Sequence, residues 1–212
     1  MAEGGNNAGP GEIEYFYSIR SSYTYLGAQR LYELARRYGR RVVHRPVLLS
    51  IVVPAAGGIP FEKRSKAWWR MQEMDMARWG DYLDIPINPD PVHHYGTMEL
   101  PSGLVTAAQK IAEEGGAGDV DGLSFELLAA LWRDDTDISD PAVTDPLCER
   151  CGFDAADLRA KALSAESQAA VKDNSEEMVT RGYIGAPTYV VDGDAFYGQD
   201  RLIFVERALA KP

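Results

Sequence analysis

The chain has 212 residues, about 45% of them hydrophobic, enough for one sizeable core or for a core domain carrying an insertion. A net charge of -10 and a pI near 4.8 argue against a nucleic-acid partner, because recognition of a phosphate backbone relies on a basic surface. No run of about 18 apolar residues occurs, which excludes a helical membrane span.

Residues 1–11 lack a basic start and an apolar stretch, so they read as a disordered tail rather than an export signal, and the protein is expected in the cytoplasm. There its two cysteines, Cys148 and Cys151, would sit reduced. Residues 13–17, Ile-Glu-Tyr-Phe-Tyr, form an aromatic and β-branched run suited to a buried strand. The period then changes: Tyr25, Leu26, Leu31, Leu34 and Ala35 predict a helix over 22–38, with Ser21 or Ser22 as N-cap and Gly39 at its end. A second strand over 41–47 completes a βαβ unit.

Glycine and proline make 54–60 a loop. Over 61–83 a long helical pattern carries Trp68, Trp69, Met71, Met74, Met76 and Trp79, and it stops before Pro86, Pro89 and Pro91. Residues 102–181 read as several helices, broken at Gly115-Gly116, Asp140-Pro141 and Gly152. Strand chemistry returns over 187–191 and 195–197, joined by the hairpin signal Asp192-Gly193, and a last helix is expected over 199–209. The order is βαβ, helices, ββα. It predicts an α/β chain of thioredoxin-like fold, residues 12–58 and 182–212, opened by a large all-helical insertion at 59–181.

In that fold the turn from the first strand into the first helix is the reactive position, because free amides and the helix dipole favour an anion there. A disulfide oxidoreductase would carry its low-pKa thiol at that turn, but this chain has Ser21 and Ser22. Both serve as ordinary caps; both can also donate to a thiolate brought by a ligand. Further on, Gly185-Ala186-Pro187-Thr188 places a proline at a strand start after glycine, where a cis bond would suit and where Ala186 could hold an extended peptide. Then Gly198 permits a tight turn, and Gln199 and Asp200 open the last helix, offering amides to a carboxylate and a carboxylate to an amine. Asp200 is equally a plain first-turn dipole partner.

A serine at the first turn, the run Gly185-Ala186-Pro187-Thr188-Tyr189-Val190-Val191-Asp192-Gly193 and the run Phe196-Tyr197-Gly198-Gln199-Asp200-Arg201-Leu202 together resemble the 2-hydroxychromene-2-carboxylate isomerase family, which is similar to kappa-class glutathione transferases and lies in the DsbA-like branch of the thioredoxin superfamily. The resemblance runs through nearly all of the chain after Gly11. It implies a cytoplasmic enzyme of aromatic compound catabolism, with glutathione as cofactor and a small aromatic carboxylate as substrate. Ser21 would be the catalytic residue, Ala186 and Pro187 would grip the cysteinyl backbone of glutathione, and Gln199 and Asp200 would receive its γ-glutamyl end. Departures from the family pattern touch the substrate side: Ser22 stands where a proline is usual, Ser18-Ile19 replaces Asp-Phe, and the loop at 55–58 has glycine where an asparagine is expected.

On the substrate side Arg20 could pair with a carboxylate, beside Ser22 and Tyr23. Trp68, Trp69, Trp79, Tyr23 and Tyr95 could wall a planar pocket, although aromatics at helical spacing are ordinarily core, and most are expected to be core here. The methionines read as core filling. No metal site is expected, because His93 and His94 are adjacent and adjacent residues seldom chelate one ion. A homodimer is compatible with the sequence. Two other activities fit it: a kappa-type transferase, and a thiol-disulfide oxidoreductase using Cys148 and Cys151.

Overall fold

The computed structural model describes residues 11–211; residues 1–10 of the expected tail lie outside it. The first strand, β1 (Glu12–Tyr17), leads through Ser21 into α1 (Ser22–Arg37) and back along β2 (Arg41–Pro46), which pairs parallel to β1. After the helical stretch, β3 (Thr188–Val191) runs antiparallel to β1, and β4 (Asp194–Tyr197) completes a sheet of order β2-β1-β3-β4. Asp192 and Gly193 both have positive φ, 50° and 87°, as a two-residue hairpin turn requires.

Alternation along β1 builds two cores. Ile13, Tyr15 and Tyr17 face α1 and join the larger core, and Phe16 faces the other way with Val47, Val52, Met178 and Val190. On that second face Glu14 is almost fully enclosed, with Arg181 donating to both of its oxygens at 2.9 Å and Arg45 Nε 3.1 Å away.

Between the strands the chain folds into α2 (Leu49–Ala55), α3 (Lys66–Leu83), α4 (Glu99–Glu113), α5 (Val120–Trp132), α6 (Pro141–Arg150), α7 (Ala155–Ala162) and α8 (Ala165–Thr180), and α9 (Leu202–Leu209) closes the fold. Several boundaries differ from expectation, α4 for one beginning at Glu99 rather than 102. The loop expected from Pro54 begins later, because α2 already runs through Pro54 and ends one residue after it. The pattern over 61–83 is divided into a 3-10 turn, Phe61–Lys63, and α3, whose first turn Ser65 caps by accepting from Trp68 N. An unforeseen break at Ser164, the N-cap of α8, separates α7 from α8. The last helix starts as a 3-10 turn, Gln199–Arg201.

The helical insert is tied to the sheet by polar groups. His44 of β2 contacts Asp121 Oδ1 through Nε2 at 2.8 Å and Tyr17 through Nδ1 at 3.0 Å, while Ser124 Oγ lies 2.7 Å from the Tyr17 hydroxyl and accepts from Tyr32 at 3.0 Å. A carboxylate only accepts, so His44 Nε2 donates to Asp121; a neutral imidazole then has Nδ1 accepting from Tyr17, which in turn accepts from Ser124. The Tyr17, Tyr32 and Ser124 hydroxyls thereby each have a partner, whereas the buried Thr24 hydroxyl of α1 has none. Helix α8 lies against the sheet as well, its Ser175 Oγ accepting from Leu48 N at 2.8 Å. By contrast α3 buries only Met76 and Gly80 and meets the rest of the molecule chiefly through α1.

Candidate active site

The sequence places a β-to-helix turn at residues 18–21, and the backbone there closes with Ser21 N donating to Ser18 O at 2.9 Å. Ser21 is the N-cap of α1: its backbone is extended and its Oγ accepts from Thr24 N at 3.3 Å. The same hydroxyl donates to the Ala186 carbonyl at 3.4 Å, a long and weak bond. Ala186-Pro187 is cis, as expected. Among the described residues the amides of Ser22 and Tyr23 make no hydrogen bond, so the positive end of α1 carries two free donors beside Ser21.

Ser21, Ser22, Tyr23 and Ala186 line one side of a cavity of about 340 Å³. Opposite them stand Trp68, Trp69 and Gln72 of α3, Phe61, Arg64, His94, Tyr95 and Trp132. The tryptophans correct the sequence reading: Trp68 and Trp69 are half-buried walls of a cavity rather than insert core, and of the α3 methionines only Met76 is buried, Met71 and Met74 being exposed. Trp79 is half-buried and lies outside the cavity. Helical spacing sets which side chains share a face, and here that face looks onto a cleft. Tyr23 donates to Asp75 Oδ2 at 2.5 Å, fastening the start of α1 to α3.

The two histidines diverge. His93 turns outward, its Nδ1 2.8 Å from the Asp135 carbonyl, and His94 turns inward, among the rings of Trp69, Tyr95 and Trp132. Burial pulls His94 below the usual histidine value, so it is neutral near pH 7, with Nε2 3.3 Å from the Arg20 carbonyl.

Seven arginines are half-buried, and they divide into two groups. Arg40, Arg45, Arg159 and Arg181 have carboxylate partners. Arg20, Arg30 and Arg64 have none within salt-bridge distance among the described residues, although the chain carries net charge -10. Arg20 donates to the Gly96 carbonyl; Arg64 donates from Nε to Ile59 O at 2.9 Å, its guanidinium lying 4.1 Å from the Phe61 ring and 4.0 Å from that of Trp68. Burial lowers the pKa of all three from the ordinary arginine value, opposed from beyond salt-bridge distance by Asp200 at Arg30 and by Glu62 at Arg64. Such groups keep their donors available to an external anion. The sequence reading missed Arg64 and Arg30, because an arginine's lack of a partner is a property of the fold.

Gln199 lies deeper than its position at a helix start suggests. It is 2% exposed and its side-chain oxygen accepts from Arg30, so the side chain is engaged within the protein, apart from the backbone amide that the sequence reading offers to a carboxylate. It packs against Gly27 of α1, where an added Cβ would lie 2.9 Å from Gln199 Cβ and 2.7 Å from the Tyr189 hydroxyl. Asp200 is half-exposed and pairs with Arg201. Next to it the Arg30 Nε and the Tyr189 hydroxyl are buried without a partner. Pro187 is buried, and its carbonyl accepts from Gly198 N at 2.8 Å.

The cysteines lie elsewhere. Cys148 is in the last turn of α6, fully buried, and Cys151 is its C-cap, followed by Gly152 at φ 83° and by Asp154 capping α7. Burial pushes the two thiols up to about 12 and about 11, and the negative end of α6 opposes a thiolate further. Near pH 7 the thiolate fraction is then on the order of one in 10⁵ for Cys148 and one in 10⁴ for Cys151. The folded protein is expected to resist iodoacetamide at neutral pH and to be labelled rapidly once unfolded in urea; mass spectrometry reads both.

Residues 12–210 match the model of the DSBA-like thioredoxin domain. A curated relative, the 2-hydroxychromene-2-carboxylate isomerase of Sphingobium xenophagum, is 25% identical over 200 residues, covering 93% of this chain and 97% of that protein. Among solved structures, a 2-hydroxychromene-2-carboxylate isomerase superposes with a TM-score of 0.75 at 20% identity, over 93% of this chain and 94% of that one. The cytosolic disulfide reductase DsbM of Pseudomonas aeruginosa, solved with GSH, superposes at 0.64 and 14% identity, over 93% of each chain. No helix among the described residues is long and apolar enough to cross a membrane.

Proposed function

The chain belongs to the DSBA-like thioredoxin domain family, and on that footing we propose that it is a glutathione-dependent cis/trans isomerase of a small aromatic carboxylate of the hydroxychromene type. One observation carries the reading: where a disulfide oxidoreductase needs its thiol, this chain has Ser21, facing an aromatic cavity edged by arginines that have no carboxylate of their own.

The donor set fits glutathione. That tripeptide has two carboxylates, an ammonium group and a thiol, and the aromatic substrate adds one more carboxylate. Arg30 and Asp200 lie together, suited to the carboxylate and the ammonium of a γ-glutamyl end, with Gln199 positioning Arg30 from behind. Ala186 offers backbone to the cysteinyl residue beside the buried Pro187. Arg64, braced by two aromatic faces, suits the glycyl carboxylate, and Arg20, adjacent to Ser21, suits that of the substrate.

Bound glutathione supplies a thiolate that adds reversibly to a conjugated double bond and leaves after rotation about the resulting single bond. A free thiol of pKa about 8.5 is only a few per cent ionised at neutral pH, so the protein's part is to favour the anion. Ser21 does so by turning its hydroxyl from the distant Ala186 carbonyl to the sulfur, while the amides of Ser22 and Tyr23 and the dipole of α1 add positive potential. Trp68, Trp69 and Trp132 exclude water from a planar substrate.

The test is isomerisation of a hydroxybenzylidene-pyruvate with and without glutathione. Activity that needs glutathione supports the reading, and no activity in its presence overturns it. Arg64→Ala is expected to weaken glutathione binding about tenfold, by loss of a charge-assisted contact, with kcat nearly unchanged. Titration calorimetry and the split between KM and kcat check this.

A further inference from the structure

A second cavity, of about 320 Å³, adjoins the first. Arg20, Leu49, Phe61 and Tyr95 line both, so the two compartments are divided by single side chains. The remaining wall is mostly apolar, from Val47, Leu48, Pro54, Pro60 and Met98, with Ser18, Ser50 and Glu62 at its polar positions.

The proposed reaction joins two molecules in one place, yet the first cavity, at about 340 Å³, is near the lower end of the range for a site enclosing one drug-sized ligand. The dividing wall is built for passage. Tyr95 is 69% exposed, and Arg20 is held to its surroundings by a bond to a loop carbonyl, with no carboxylate fixing it. A guanidinium and two aromatic rings at the divide also offer flat faces to a ring lying between them.

We propose that the second cavity is a specificity subsite, which receives the outer ring or apolar substituent of an extended, fused-ring substrate whose reacting double bond stays beside Ser21. The inference rests on the isomerase reading and adds the substrate class: aromatic carboxylates with more than one fused ring. Arg20 in the dividing wall holds the carboxylate, and Val47, Leu48, Leu49 and Met98 bury the far ring.

Two variants narrow the second cavity without touching Ser21: Ser50→Trp, at an exposed position of α2, and Leu48→Trp. Each is assayed with a single-ring hydroxybenzylidene-pyruvate and with its naphthalene analogue, alongside glutathione affinity and the melting temperature. For at least one variant that melts like wild type, kcat/KM for the two-ring substrate is expected to fall about tenfold or more, against a change within about twofold for the single-ring one and for glutathione affinity. Equal losses on both substrates, or no loss on either, overturn the proposal while leaving the isomerase reading standing. A wild-type protein that turns over neither substrate overturns both.

Discussion

Replacing Ser21 with Ala is expected to lower kcat/KM for isomerisation by about 10²-fold at neutral pH, the size of effect seen when one preorganised donor to a developing anion is removed. On the proposed reading the hydroxyl and the two free amides of Ser22 and Tyr23 would act on the same glutathione sulfur, so loss of the hydroxyl would leave the pocket formed but less able to hold an anion. Activity should rise with pH as the bound thiol ionises, and the variant's rise should be displaced to higher pH, because the anion has lost a donor and the thiol pKa increases. The deficit therefore shrinks as pH rises through the variant's thiol pKa. Ser21 also caps α1 through Thr24 N, so Ser21→Ala should cost about 1 kcal/mol of stability as well. Ser21→Gly keeps most of the cap's worth and loses the same hydroxyl. Equal loss of activity in both variants, with stability lost mainly in the alanine, separates chemistry from folding.

Glu14→Gln is expected to be the most destabilising single change in the sheet, by about 3–5 kcal/mol. The carboxylate is almost fully enclosed and compensates Arg45 and Arg181, which also approach Glu177 at 3.4 and 3.0 Å. The amide keeps the volume but leaves two buried guanidinium groups sharing one partly exposed carboxylate. Thermal melting should fall by roughly 10 °C for a domain of this size. Activity measured well below the transition should stay near wild type, since Glu14 faces away from the cavity. A shift of only one or two degrees would mean that water reaches the arginines when the carboxylate is lost.

How much of this was legible in the sequence depends on how local the cause is. The strand at β1, the Ser21 cap, the Asp192-Gly193 turn and the cis Ala186-Pro187 bond are each set by neighbours within a few positions, and each is where the chain implied. Helix α2 was hidden because Leu-Ser-Ile-Val-Val-Pro-Ala is rich in β-branched residues and ends in proline, so its helicity is imposed by packing on α8. Trp68 and Trp69 gave a correct period and a wrong destination. Gln199 was assigned to a ligand because its position opens a helix, but Arg30, one helix away, already uses it. Arg64 did carry a local signal, since Phe61 and Trp68, the rings on which its guanidinium lies, stand three positions before it and four after it; its lack of a carboxylate partner was set by the fold.

Helix α3 supplies the tryptophans opposite Ser21, yet it buries just two residues and is clasped to α1 by the Tyr23–Asp75 bond. The floor of the cavity, on the turn after β1 and the start of α1, is held to elements anchored in the larger core, so the two walls differ in the free energy needed to part them. Admission of a planar molecule would then be governed by the lifting of α3, and the residue that holds this lid shut, Tyr23, is only two positions from the serine it covers.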